Sequence, residues 1–199
     1  KKKLEEKKYE LSAANKHIEF DSEQSHLAIV IPTVPRTHED YYNLMVANYI
    51  LGGSGFGSWL MEEIREKRGL SYSVYSYISS NKTHGYLKIS LQTKNENLSL
   101  SKSIISKQLE RLRNFNISEK AINDAKSSIL KSFEMRIDTN KKLLNLISAI
   151  NSLDLNTKYF AEYREKINRV DIDTIKNALD KSIDFSRKSI ISVGRTVEK

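Results

Sequence analysis

The stretch Leu51 to Tyr77, LGGSGFGSWLMEEIREKRGLSYSVYSY, constrains the folding of this chain more than any other. Gly52, Gly53, Gly55 and Gly57 fill four of six consecutive positions, which frees the backbone to take positive φ or to approach another segment closely. Ser58 then offers a helix cap. Trp59, Leu60 and Ile64 give that helix an apolar side, while Glu62, Glu63, Arg65, Glu66 and Lys67 load the rest with charge. Gly69 stops it. From Leu70 the period changes to two, with Leu70, Tyr72, Val74 and Ile78 facing one way and Ser71, Ser73, Tyr75 and Tyr77 the other. A glycine loop, a short helix and a strand in that order bring Arg65 and Tyr72 together across one turn.

The remaining pattern supplies a body for this stretch. A chain of 199 residues suffices for one sizeable core, and we expect residues 1–15 to form a charged linker or N-terminal extension and residues 16–199 a single domain. His17 to Phe20 and His26 to Thr33 are expected strands, the second with an apolar run, Leu27 to Ile31, that suggests burial on both faces. Glu39 to Leu51 carries apolar residues nearly all round a helix, which predicts a buried one. Ser79 to Thr83 reads as a polar turn between the strand ending at Ile78 and a strictly alternating strand, His84 to Thr93, so the two make an antiparallel hairpin. Helices follow over Leu98 to Leu112, from Ser118, and from about Lys141 to Leu153. A less regular piece spans Tyr159 to Ile167, Asp171 then caps a helix with Val170 and Ile175 as its hydrophobic staple, and Ser189 to Val193 is a final strand. This order predicts an α+β fold with helices on one face of an antiparallel or mixed sheet.

The frame of Leu51 to Tyr77, in which LGG, small residues and a hydrophobic-acidic helix precede REKRGLSYSVYS, resembles the second-domain signature of the insulinase or pitrilysin-type zinc peptidases, the group of mitochondrial processing peptidase. More loosely the similarity runs from about Ile18 to Gly194. It implies the zinc-free, C-terminal domain, a mixed sheet backed by helices that faces a homologous domain around a substrate chamber. In such domains an arginine and, seven residues on, a tyrosine hold the substrate backbone; Arg65 and Tyr72 have that spacing, with Gly52 and Gly53 as further substrate-binding positions. Trp59 departs from the pattern, since many relatives have an arginine after the small residues. The implied function is the substrate-holding half of a two-domain or two-subunit zinc metallopeptidase that cleaves peptides inside a closed chamber. The alternative is a non-catalytic scaffold or pseudo-peptidase subunit of the same family.

Catalytic groups of its own are not expected. The family's metal motif is H-x-x-E-H, and the nearest frame, His38-Glu39-Asp40-Tyr41-Tyr42, has tyrosine where the second ligand belongs. His17, His26 and His84 fall in predicted strands with no histidine four residues away, so no metal site is expected here and the zinc belongs to a partner, a domain in cis or a subunit in trans. No G-x-S-x-G elbow and no Walker loop occurs. Taken alone, Arg65 is a solvated helix charge beside Glu62 and Tyr72 an ordinary strand aromatic. The net charge of +8 is spread as 33 basic among 25 acidic residues, without a basic helix or an aromatic-basic sheet motif, so no nucleic-acid partner is expected. No apolar run reaches spanning length, and Lys1 to Glu10 lacks the apolar core of a signal peptide. With no cysteine either, a bacterial periplasm and a cytoplasm both stay open.

Overall fold

The computed structural model describes residues 12–135, 137–156 and 158–197. Five strands form one mixed sheet: β1 (Asn15–Glu19), β2 (Gln24–Thr33), β3 (Val74–Ser80), β4 (Gly85–Lys94) and β5 (Ser189–Gly194). Their spatial order is β1-β5-β2-β4-β3, with β1 parallel to β5 and all other pairs antiparallel. Most of the expected N-terminal linker, residues 1–11, lies outside the described residues. From Ser12 onward the chain is already fastened to β5, where the Ser189 hydroxyl donates to the Ser12 carbonyl and the Ile190 N–H to that of Ala14.

Alternation sorts the two faces. Leu27, Ile29 and Ile31 of β2 stand opposite Leu91, Ile89 and Leu87 of β4, and all six are buried beneath helices. The residues between them, such as His26, Ala28 and Lys88, look away from the helices and are exposed or half-buried. The apolar run of β2 is therefore covered on one face, and burial on both is corrected. Helix α1 (Tyr41–Asn48) follows β2, and after β4 come α3 (Leu98–Arg113), α4 (Glu119–Glu134), α5 (Asn140–Ser152), α6 (Lys158–Asn168) and α7 (Ile172–Lys181); α2 (Trp59–Met61) lies in the glycine-rich stretch. This is the α+β arrangement that the sequence predicts.

The piece over Tyr159 to Ile167, expected to be irregular, is helical. Tyr159, Tyr163 and Ile167 recur every four residues and are buried, so they form one stripe of α6; the Tyr163 ring stacks on Phe133 of α4 at 4.0 Å. Helix termini follow local chemistry. Ser118 accepts from the Ala121 N–H, and Asp171 and Thr174 make a reciprocal capping box between the buried staple residues Val170 and Ile175.

Two contacts position the central stretch. Past Asn48, α1 widens into a π-helical turn, Tyr49–Gly53, that lies against β3. A Cβ on Gly52 would sit 2.7 Å from Ser76 Oγ and 2.8 Å from Leu60 Cδ1, so only glycine permits this approach. Asn48 Nδ2 reaches the Ser76 carbonyl across the same junction at 3.4 Å.

Two stability measurements test this account. Gly52→Ala is expected to destabilise by about 1–3 kcal/mol through overpacking, read as a lower denaturant midpoint at unchanged slope. Asp171→Ala is expected to cost about 1 kcal/mol at neutral pH. Its hydrogen bonds from Thr174 hold the Asp171 carboxyl below its ordinary value, so the contribution is complete above the unfolded pKa and fades as pH falls through the folded one. The unfolding curves of Asp171→Ala and the native chain should converge in acid.

Candidate functional site

The glycine loop turns where its sequence demands it. Gly55 and Gly57 take φ of +70° and +84° with open space around their α-carbons, a conformation L side chains rarely adopt. Ser58 sits extended before α2, yet its hydroxyl does not cap the helix. It donates back to the Gly55 carbonyl at 2.7 Å and so closes the loop on itself. Three residues of α2 then give way to a second π-helical segment, Glu62–Glu66, in which Ile64 is fully buried. Gly69, at φ +59°, donates its N–H to the Arg65 carbonyl, and Leu70 donates to that of Ile64. The backbone at Arg65 is thus held from both sides. Wide π turns tend to mark functional sites, and here two of them flank one loop.

The strand expected from Leu70 begins only at Val74. Between them the Ser71 side chain turns inward and its hydroxyl bonds the carbonyls of Gln92 and Ser73, and this pins an irregular segment that throws Tyr72 outward. Tyr72 is 84% exposed. The Arg65 guanidinium lies between two rings, 4.7 Å from the centre of Tyr72 and 4.6 Å from that of Phe56. Phe56, 68% exposed at the loop tip, is a member of the site that the spacing of Arg65 and Tyr72 does not predict. An aromatic set among glycines, where no core exists to receive it, was the signal available.

Electrostatics leave this guanidinium unclaimed. Glu62 and Glu63 pair with Lys67, and Glu63 also with Arg68; those hydrogen bonds hold the Glu63 carboxyl below its ordinary value. Among the described residues no carboxylate pairs with Arg65, so Glu62 is not its partner. Ring contacts take the flat faces of a guanidinium and leave its in-plane N–H donors free. Of the two further glycines expected at the site, Gly52 is buried against Ser76 and Leu60, and Gly53 is exposed beside Asn48. Trp59 lies buried, with the Arg111 guanidinium stacked on it at 3.8 Å.

Other titratable groups serve the fold. Tyr42 is buried against the edge of Tyr163, and burial pushes its phenol well above the ordinary range, which makes it no ligand in the His38 frame. His38 accepts from the Asp40 N–H just before α1. His84 lies in the turn before β4 rather than in the strand, bonded to Asn81 and Thr83. His17 meets the Ser192 hydroxyl, which Lys102 also reaches, each at 3.0 Å; Ser192 is fully buried, so the cluster joins β1, β5 and α3. Among the described residues no three of His, Asp and Glu converge on a common point, and these side chains do not fit a zinc ion.

Known proteins share this fold. A family profile described as the peptidase M16 inactive domain matches residues 1–129. The chain is 35% identical to the uncharacterized zinc protease YmxG of Bacillus subtilis over 62% of its own length and 30% of that protein. It is 33% identical to a protein of Helicobacter pylori named non-peptidase homolog YmxG, over 63% of its own length and 29% of the other. The crystal structure of a peptidase M16 inactive domain from Pseudomonas fluorescens superposes with a TM-score of 0.86 at 29% identity, covering 94% of this chain and 45% of that one. The chain therefore spans less than half the length of these relatives. With a family match over most of its length and the fold to go with it, it belongs to the peptidase M16 family as an inactive domain.

Proposed function

We propose that this chain is the substrate-holding half of a two-part zinc metallopeptidase, with Arg65 and Tyr72 as the grip. The observation that carries the reading is the half-buried Arg65, its guanidinium between the exposed rings of Phe56 and Tyr72 and with no carboxylate partner among the described residues. Guanidinium and phenol are both donors. Set side by side on a surface they suit one acceptor, a peptide carbonyl, and they suit it better as its oxygen gains charge in a tetrahedral intermediate. Phe56 fixes the plane of the guanidinium, and the exposed backbone of Gly53 offers a further contact. A homologous half, in cis or in trans, supplies the zinc and its activated water. This chain alone supplies neither.

A pseudo-peptidase or scaffold is the second reading, favoured by the Helicobacter pylori relative, which is named a non-peptidase homolog. The two part on one experiment. In the chain assembled with its zinc-bearing half, Arg65→Ala and Tyr72→Phe should each lower kcat/KM about a hundredfold, near 3 kcal/mol, with folding and zinc content unchanged. The double variant should lose far less than the product of the two, because both groups act on one oxygen. Tyr72→Phe keeps the ring contact and removes only the donor. Glu66→Gln, on the same helix and exposed, is the control and should leave turnover unchanged. Turnover indifferent to Arg65→Ala removes the grip reading, and an assembled protein without peptidase activity leaves the scaffold.

A further inference from the structure

We infer that the open face of the sheet, next to Arg65 and Tyr72, is a subsite for an acidic residue of the bound peptide. This rests on the substrate-holding reading of that pair. The registers place Lys16, His26, Lys88 and Lys94 on this face, and every Asp and Glu of the described strands points elsewhere: Glu19 shares the helix-covered side with His17. Among the described residues the nearest acids by sequence are Asp21 and Glu23, which pair with Arg195, and Glu96, which lies 4.0 Å from Lys94. Lys16 and Lys88 have no carboxylate partner among the described residues.

A hollow of about 440 Å³ opens on this face between Ser73, Tyr75, Lys88, Ser90 and Ile191. The Ser90 hydroxyl makes no hydrogen bond, and a buried hydroxyl without a partner is costly. Ammonium and hydroxyl are together a donor pair for a carboxylate. Tyr75 lines the hollow with its ring stacked on Tyr77 at 6.3 Å between centres, and it suits the apolar stem of a glutamate. The hollow also adjoins the grip in sequence and in space. Ser73 follows Tyr72 directly, and Ser90 and Lys88 stand opposite Tyr75 and Tyr77. At about 3.3 Å per residue, an extended peptide held by its carbonyl at Arg65 and Tyr72 reaches the hollow about three to five residues away. A glutamate or aspartate there is the preferred side chain.

The test is fluorescence anisotropy of this chain with two labelled peptides that differ only in Glu or Gln at the fourth residue from the held carbonyl. The Glu peptide should bind about ten- to a hundredfold more tightly, as one charged hydrogen bond implies, and the ratio should shrink with salt. Lys88→Gln should bring the ratio to one, and Ser90→Ala should reduce it. Arg65→Ala should weaken both peptides equally and leave the ratio intact, which separates the two readings: unchanged binding in Arg65→Ala overturns the grip but not the subsite. A ratio of one in the native chain overturns the subsite, as does a ratio that survives Lys88→Gln. Measured again with the zinc-bearing half bound, a vanished ratio means that this face is covered by the other half, and the subsite falls.

Discussion

At Gly52 the end of the first helix and the edge strand β3 come so close that a single methyl group would collide with Ser76 and Leu60. The approach does more than fill space. It fixes where the glycine loop departs from the body, and so where α2 starts, with Leu60 fully buried beneath the junction. The second π segment and the left-handed turn at Gly69 then return the chain to the same edge of the sheet. Arg65 leaves this helix and Tyr72 enters this strand within one closed circuit, and their meeting is set by backbone packing rather than by attraction between them. A cation–π contact at an exposed site is worth only about 0.5–1 kcal/mol, too little to order a loop by itself.

Charge on the second π-helical segment and its end is partitioned in the same way. Five charged side chains follow Met61 before Arg68 and Gly69, and two of the acids, Glu62 and Glu63, pair with Lys67 and Arg68 at the end of the segment. Such surface pairs contribute little stability. Their effect here is to occupy Glu62 and Glu63, which would otherwise compete for Arg65.

The sequence disclosed the parts governed by short-range rules. The periods of β2, β4, α3 and α4 are sharp, the caps at Ser118 and Asp171 are local chemistry, and each element appears within a few residues of expectation. What it hid depends on distant partners. Tyr159, Tyr163 and Ile167 have helical spacing, but their apolar side is made of tyrosines whose burial needs Phe133 and Tyr42 from other helices. The alternation of Leu70 to Tyr77 continues smoothly on paper, while the Ser71 hydroxyl finds the Gln92 carbonyl and breaks the strand before Val74. Ser58 had the composition of a cap, but the positive φ of Gly55 and Gly57 bends the loop until the nearest acceptor is Gly55 itself. At the candidate site the meeting of Arg65 and Tyr72 was legible from spacing, and Phe56 was not, because nothing local says where a loop tip folds.

Among the described residues, rings rather than carboxylates hold three arginines, and comparing them separates structure from candidate function. Arg111 lies on the buried Trp59, so its ring contact belongs to the packing between α2 and α3. Arg36 stacks on Tyr41 at 3.8 Å and donates to the Tyr159 hydroxyl, which ties the start of α1 to α6 through rings that are themselves buried. Arg65 also lies between rings, but both of these are turned to solvent. Both rings stay largely in solvent, and the contact joins only neighbouring parts of one stretch, the loop tip and the segment before β3. What the arrangement does produce is a guanidinium with a fixed plane and free in-plane donors beside a phenol, at the mouth of a loop that only glycines can form. A structural arginine has its partners inside the fold; the in-plane donors of this one meet no carboxylate among the described residues.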